Sequence, residues 1–389
     1  MDLKELLSKE TDKFIEEKDG FRKYGKAKFP FTREKAEEFS NLDIETLLDD
    51  PYFLDLKYKE RNGEMSGLWP ANREVFVDFY HKRKERVLNT FLYTGGIGLG
   101  KSTLSAISTW IQVYDIITLP DPLSYFGLTK GTTISIISLS KDADKAKKVT
   151  FKKKLPFFSK SPFFIDYFPP HIDPEKMNND SSRLPSELRF PKDIVVFPGT
   201  GQAASALGYD IYGADIDEAN DMEIIEKSKK KALSKIYDAA EEAYKEIIGR
   251  MDSRFPKESL FRSGKKYGWV SVIGQARYPN SFLENKIREA QVLGEQSTIY
   301  WVRKSAIEAQ PKERFLKTNF FFDVDNAKII EKINTDKIRE ERCKICGRSL
   351  YGGAFVGNKG DLVCSIDCYK ATYDTEIKVE KEKMSEWEL

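Results

Sequence analysis

Short apolar runs alternate with stretches of helical period through the middle of the chain. Residues 87–94 (Val-Leu-Asn-Thr-Phe-Leu-Tyr-Thr) form a brief, largely apolar run of strand character. A glycine-rich loop follows, and then a helix is expected from Lys101 to about Ile116. Thr132–Leu139 is a second buried-strand candidate, followed by a Lys- and Ala-rich helix from Lys141 to about Lys154. Residues 156–192 are rich in Pro, Phe and Asn and read as an irregular excursion. Ile194–Phe197, Ile211–Ile216 and Tyr267–Ile273 are further strand candidates. Met222–Arg250 reads as one long helix and Ser281–Val292 as a shorter one.

Strands alternating with helices predict an α/β fold of P-loop NTPase type, a mainly parallel sheet flanked by helices. Residues 1–65 read as a charged N-terminal helical lead-in, with a helical stretch at Thr32–Leu48. A helix is expected around Trp69–Tyr80, starting after Pro70. The ATPase motor domain is assigned to residues 66–330. After about 330 the character changes: residues 328–342 are charged and read as helical, and a cysteine cluster follows. Residues 335–389 are assigned to a small C-terminal zinc-binding module with a charged tail.

Composition narrows the function classes. The 389 residues are 40% hydrophobic and 32% charged, enough apolar material for a sizeable core. The net charge of +2, from 64 basic and 62 acidic residues, argues against a strongly basic coat but leaves room for a local basic lining. With only two histidines, His81 and His171, a His-based catalytic or metal centre is not expected. No apolar run reaches 18 residues, and the N-terminus carries charges where a signal peptide would be apolar. A cytoplasmic protein without a membrane partner is therefore expected.

The loop Gly95-Gly96-Ile97-Gly98-Leu99-Gly100-Lys101-Ser102, continuing into Thr103, matches the phosphate-binding pattern G-x-x-x-x-G-K-[S/T]. A strand has to turn sharply into a helix while its backbone N–H groups converge on an anion. Glycines permit the dihedrals and the close approach, and the helix N-terminus adds donors and a favourable dipole. Lys101 would reach the β- and γ-phosphates of ATP, and Ser102 would ligate Mg²⁺. A glycine-rich turn with a chance lysine is the alternative, against which stands the strand–loop–helix context.

Residues 211–220 read Ile-Tyr-Gly-Ala-Asp-Ile-Asp-Glu-Ala-Asn, an apolar strand that ends in acid. Asp217 would hold Mg²⁺, and Glu218 would orient and deprotonate the attacking water. The alternative is that both carboxylates cap a following helix. Asp215 sits awkwardly, since a charge inside a buried strand is costly; it would face a loop, or the strand would end early.

With both motifs in place, several flanking segments resemble the large terminase subunit of tailed bacteriophages. They are Phe197-Pro-Gly-Thr-Gly-Gln202 with Ala206-Leu-Gly-Tyr-Asp210, Gly249-Arg-Met-Asp-Ser-Arg-Phe255, and Ser271-Val-Ile-Gly-Gln-Ala-Arg-Tyr-Pro-Asn-Ser-Phe282. The resemblance spans roughly residues 65–325. It implies a ring of subunits that packs double-stranded DNA into a procapsid by ATP hydrolysis, with a portal and a small terminase subunit as partners. It makes Gln275 the sensor of the γ-phosphate. An arginine finger, in cis or from the next subunit, has Arg250, Arg254 and Arg277 as candidates. Where many relatives read adenine with a Gln, Asn72 stands here, with helix capping as its equal alternative. The family's ribonuclease H-type nuclease finds no counterpart in the about 60 residues after 330, so cutting is doubtful in this chain and a separate nuclease chain is a possible partner.

Those last residues hold Cys343-Lys-Ile-Cys346, then seventeen residues, then Cys364-Ser-Ile-Asp-Cys368. Two thiolate pairs at short spacing suit a tetrahedral, structural zinc site with four cysteine ligands. The segment Tyr351–Val363 between them has hairpin character, and the whole resembles a treble-clef module. Disulfides or unpaired cysteines are the alternative. Competing functions are another P-loop DNA translocase of helicase type, which lacks recognisable second-lobe motifs here, and a nucleotide-dependent binding scaffold.

Overall fold

The computed structural model describes residues 27–61, 64–141, 152–170, 187–200, 208–222, 224–226, 236–275, 279–311, 314, 319–323, 328–333, 354–356 and 362–363. The chain divides into two compact units, Met1–Gln310 and Pro311–Leu389.

The first unit opens with helices Arg33–Ser40 and Ile44–Asp49. The single stretch expected over Thr32–Leu48 is broken because Asp43 caps the second helix, its carboxylate accepting from the Thr46 N–H at 2.6 Å. A small hairpin of β1 (Lys59–Arg61) and β2 (Glu64–Ser66) precedes the helix Pro70–Glu85, which has Pro70 in its first turn.

The main sheet has seven strands. They are β3 (Thr90–Gly95), β4 (Ile134–Ser140), β5 (Leu188–Phe190), β6 (Ile194–Thr200), β7 (Asp210–Ile216), β10 (Val270–Gly274) and β11 (Ile299–Lys304). A separate antiparallel pair, β8 (Ile224–Glu226) with β9 (Ile236–Asp238), lies between β7 and β10 in sequence. The order across the main sheet is β11-β3-β10-β7-β4-β6-β5, and all neighbours are parallel except β5 with β6. The mainly parallel α/β architecture expected from the alternation of elements is therefore present.

Strand alternation sends side chains to two cores. Phe91, Tyr93, Ile134, Ile136, Trp269 and Ile273 pack on the face that holds the helix Lys101–Ile117. Leu92, Ile137, Leu139, Val270 and Val272 pack on the other, with the helices Ala239–Arg254 and Phe282–Leu293. Every residue of the helix Lys101–Ile117 from Leu104 onward is buried. Phe53 and Phe163 pack on its Trp110 and Tyr114 rings, and the Tyr114 hydroxyl donates to the Phe39 carbonyl at 2.7 Å, so the segment upstream of the phosphate loop contributes to this core.

Two further expectations give way. The supposed irregular stretch 156–192 contains part of the helix Lys152–Ser159, the helix Pro162–Tyr167 and strand β5, driven by burial of Phe158, Phe163, Phe164 and Phe190. The helix expected from Met222 starts at Ala239, because Asp238 caps it through the N–H groups of Ala240 and Glu241, and β8 and β9 occupy part of the interval. Most of the helix expected over Lys141–Lys154 lies outside the described residues.

The second unit contains β12 (Asn319–Asp323), β13 (Lys328–Ile333), β14 (Ala354–Val356) and β15 (Leu362–Val363), in the order β13-β12-β14-β15. Residues 328–333, expected to be helical, pair antiparallel with β12. The hairpin expected within Tyr351–Val363 is present, with Phe355 opposite Val363. Cys343, Cys346, Cys364 and Cys368 lie outside the described residues.

Candidate functional site

The three parallel strands β3, β10 and β7 deliver their C-terminal ends to one edge of the sheet. The register places Gly274 beside Thr94 and Val272 beside Ile216. Gly95, Gln275 and Asp217-Glu218 therefore emerge side by side, with Gln275 in the middle. Strands two apart in a sheet are separated by about 10 Å, so the ends of β3 and β7 stand about that far apart on either side of β10.

The loop after β3 turns on its glycines. Gly98 and Gly100 have φ of +77° and +76°, in the left-handed region. A Cβ on Gly95 would stand 2.1 Å from the Lys304 carbonyl oxygen of the neighbouring strand β11. Leu99 is buried and anchors the loop, whereas Ile97 at the tip is 80% exposed. Gln310 also grips the tip, its Nε2 donating to the Gly98 carbonyl at 3.4 Å.

Lys101, Ser102 and Thr103 form the first turn of the helix Lys101–Ile117 and are all half-buried. The Lys101 ammonium donates to the carbonyl oxygens of Gly95, at 2.7 Å, and Gly96. Burial pushes its pKa down to about 8, with the Asp217 carboxylate opposing. The lysine is thus folded back on the loop, at the place where phosphate oxygens would compete for its protons.

Asp217 and Glu218 follow β7. The Asp217 N–H donates to the Leu139 carbonyl at 2.9 Å, and its Oδ1 accepts from the Glu218 N–H at 2.9 Å. Glu218 takes a left-handed conformation, φ +55°, before a short 3₁₀ turn, Ala219–Asp221, that it does not cap with its side chain. The acidic pair therefore terminates a strand at a strained turn.

Asn220, which sequence reasoning passed over, ties this turn to its neighbours. Its Nδ2 donates to the Gln275 carbonyl at 2.6 Å, and its Oδ1 accepts from the Leu283 N–H at 3.2 Å. The turn after β7, the end of β10 and the start of the helix Phe282–Leu293 are joined through one amide. Only its position two residues after Glu218 could have singled it out.

Asp215 neither faces a loop nor lies beyond the end of β7. It points toward the helix Lys101–Ile117 and pairs with Lys154, both fully buried. Lys154 also donates to Thr109 Oγ1 at 2.9 Å and Ser138 Oγ at 2.6 Å. Burial lowers the pKa of the Lys154 ammonium, and Asp215 opposes that shift.

Asn72 does not cap its helix. It is buried, and both ends of its amide are engaged by the phosphate loop and the strand leading into it. Of the arginine candidates, Arg250 pairs with Glu246 one turn back in its helix at 2.9 Å. Arg254 pairs at 2.8 Å with Asp210. Asp210 begins β7 while Asp217 follows its end, so Arg254 stands about 20 Å from the acidic pair. Arg277 lies outside the described residues.

For a metal ion, the hydroxyl of Ser102 and the carboxylate of Asp217 are hard oxygen donors of the kind Mg²⁺ accepts. Among the described residues no helix is long and apolar enough to cross a membrane.

A family model described as "Uncharacterized protein MJ0330, N-terminal P-loop domain" matches residues 17–330. No curated protein matches the sequence. Among solved structures, the HK97 bacteriophage large terminase aligns with TM-score 0.40 and 13% identity over 70% of this chain and 45% of that one. The large terminase ATPase domain of Thermus phage P74-26 aligns with TM-score 0.34 and 10% identity over 67% of this chain and 86% of that one. The chain thus spans less than half the length of the HK97 protein.

Proposed function

The chain belongs to the family of the uncharacterized protein MJ0330, N-terminal P-loop domain, and from that premise we propose that it hydrolyses ATP to move double-stranded DNA, as the motor of a terminase-type packaging machine. The observation that carries the hydrolytic part is the alignment of Gly95–Thr103, Gln275 and Asp217-Glu218 along one sheet edge. The DNA-packaging part rests on the flanking segments quoted above.

In this proposal the N–H groups of the loop and the Lys101 ammonium bind the β- and γ-phosphates. Ser102 and Asp217 hold Mg²⁺, which when bound offsets charge on the phosphate oxygens. Glu218 accepts a proton from water as its oxygen attacks the γ-phosphorus and the bond to the β-phosphate breaks. Gln275 stands between loop and acid, where it can sense whether the γ-phosphate is present. Its carbonyl is held by Asn220, so a change at the γ-phosphate has a direct route to the helix Phe282–Leu293. Arg250 and Arg254 are engaged by Glu246 and Asp210, and an arginine finger in cis or from a neighbouring subunit of a ring would complete the site.

The same proposal includes a 66–330 motor domain following a 1–65 lead-in, and a 335–389 module in which Cys343, Cys346, Cys364 and Cys368 bind structural zinc. Portal or procapsid and a small terminase subunit are the partners it entails, with the host cytoplasm as its place of action.

The test is ATP hydrolysis by the purified chain with and without double-stranded DNA. DNA-stimulated turnover is expected, lost in Lys101→Ala and in Glu218→Gln. Turnover surviving both changes would sink the proposal. Strand unwinding without any procapsid would favour a helicase-like translocase, and nucleotide binding without turnover a scaffold.

A further inference from the structure

The helix Pro70–Glu85 reaches the phosphate loop through the side chain of Asn72. Asn72 is 1% exposed. Its Nδ2 donates to the carbonyl oxygen of Leu99 at 2.7 Å, and its Oδ1 accepts from the Tyr93 hydroxyl at 2.7 Å. Tyr93 belongs to the strand that enters the loop, and Leu99 to the loop itself. One amide therefore spans both ends of the turn and fixes them to a third element.

The same contact explains a glycine. Gly100 has φ +76°, and a Cβ there would lie 2.8 Å from Asn72 Nδ2. The amide packs directly on the backbone that turns into the helix Lys101–Ile117. Rotating the Leu99–Gly100 peptide would leave a buried carbonyl and a buried amide unpaired, which costs more than the bond itself contributes. The loop is thus held in one curvature before any ligand arrives, and preorganisation of that kind lowers the cost of binding.

We infer that Asn72 is a positioning residue for the phosphate loop, acting through Leu99 and Gly100 on polyphosphate binding, and that it does not read the nucleotide base. The amide is oriented at both ends by Leu99 and Tyr93 and is 1% exposed, so it is held against the loop rather than presented to a purine edge. This rests on the loop at 95–102 binding nucleotide, and it separates Asn72 from the adenine-reading role that its place in the sequence suggested.

The discriminating ligand is one without a base. Calorimetric affinities for ATP, GTP and inorganic tripolyphosphate, each with Mg²⁺, are compared in the wild type, Asn72→Ala and Tyr93→Phe. Asn72→Ala is expected to weaken all three by the same factor, about tenfold. Tyr93→Phe, which keeps the Leu99 contact but frees the other end of the amide, is expected to weaken all three by a smaller common factor. If Asn72→Ala does not fold, as a melting curve would reveal, Tyr93→Phe decides. A loss confined to ATP with tripolyphosphate unchanged overturns the inference, and so do unchanged affinities in a folded variant. A wild type that binds none of the three overturns the nucleotide site itself and this inference with it.

Discussion

Lys154 donates to Asp215 in the interior of the first unit, two residues before the Asp217-Glu218 pair. The ion pair sits where the helix Lys101–Ile117, β4 and β7 meet, with Thr109 and Ser138 completing its hydrogen bonds. Asp215 Oδ2 has no partner, so the carboxylate depends on the lysine for most of its compensation.

Removing the lysine alone should therefore be severe. Lys154→Met is expected to lower stability by about 3–5 kcal/mol, because an uncompensated carboxylate stays buried. Combining it with Asp215→Asn should recover most of that loss, since a neutral amide is far cheaper to bury than a charge. Urea unfolding of the two single variants and the double variant measures the coupling. Additive losses would mean that the pair contributes nothing as a pair.

The pKa of Lys101 gives the site a pH dependence. In the free protein the ammonium titrates at about 8, and polyphosphate oxygens should raise that value on binding. Nucleotide affinity is then nearly full at pH 7 and falls as pH rises through 8, with a proton uptake on binding that is small at pH 7 and grows toward one per ligand above pH 8. Without ligand the sign for stability is opposite. The folded state holds fewer protons than the unfolded state between about 8 and 10.5, so this group's contribution to stability improves with pH across that window. Calorimetry in buffers of different ionisation enthalpy counts the protons, and Lys101→Arg should flatten the profile.

The parts of the site visible in the sequence were those with fixed local spacing. The Gly95–Ser102 pattern dictates its own turn, and an apolar strand ending in Asp217-Glu218 announces itself. What stayed hidden depends on residues far apart. Asp215 looked misplaced because nothing near it in sequence offers a cation; Lys154 is 61 positions away. Asn72 carried a plausible capping role, and only the fold brings Leu99, 27 positions on, against its amide. The helix expected over Met222–Arg250 failed for a local reason: Asp238 is a good N-cap embedded in helix-forming composition, and composition outweighed it in the pattern.

Two glycines should respond in opposite directions to the same substitution. Gly95→Ala drives a Cβ to 2.1 Å from the Lys304 carbonyl, which must push β3 and β11 apart at the phosphate loop. A loss of about 2 kcal/mol or more is expected, along with weaker nucleotide binding. Gly249→Ala places its Cβ in open space within the helix Ala239–Arg254. There the change should add about 0.5–1 kcal/mol, the ordinary advantage of Ala over Gly inside a helix. Thermal melting of both variants tests the pair.

The zinc proposal can be checked without activity. Elemental analysis of the purified chain should find one zinc per polypeptide, and Cys343→Ser or Cys364→Ser should abolish it. Because structural zinc binding is coupled to folding, strong chelation should make the C-terminal segment protease-sensitive. Residues 66–310 should remain intact under the same treatment.

Asn220 offers the sharpest separation of binding from turnover. Its amide joins the Gln275 carbonyl to the Leu283 N–H, and no part of the phosphate loop is among those two partners. Asn220→Ala should leave nucleotide affinity within about twofold of wild type, since the loop and Lys101 are untouched. It should slow turnover about tenfold or more, because Gln275 and the turn carrying Glu218 lose their common tether. Asn220→Asp is the informative control. It keeps the acceptor for Leu283 but loses the donor to Gln275, so it should show most of the turnover defect if the Gln275 contact is what matters. Steady-state kcat beside calorimetric Kd for the three proteins distinguishes the outcomes. Equal loss of affinity and turnover would mean that Asn220 merely supports the fold of the site.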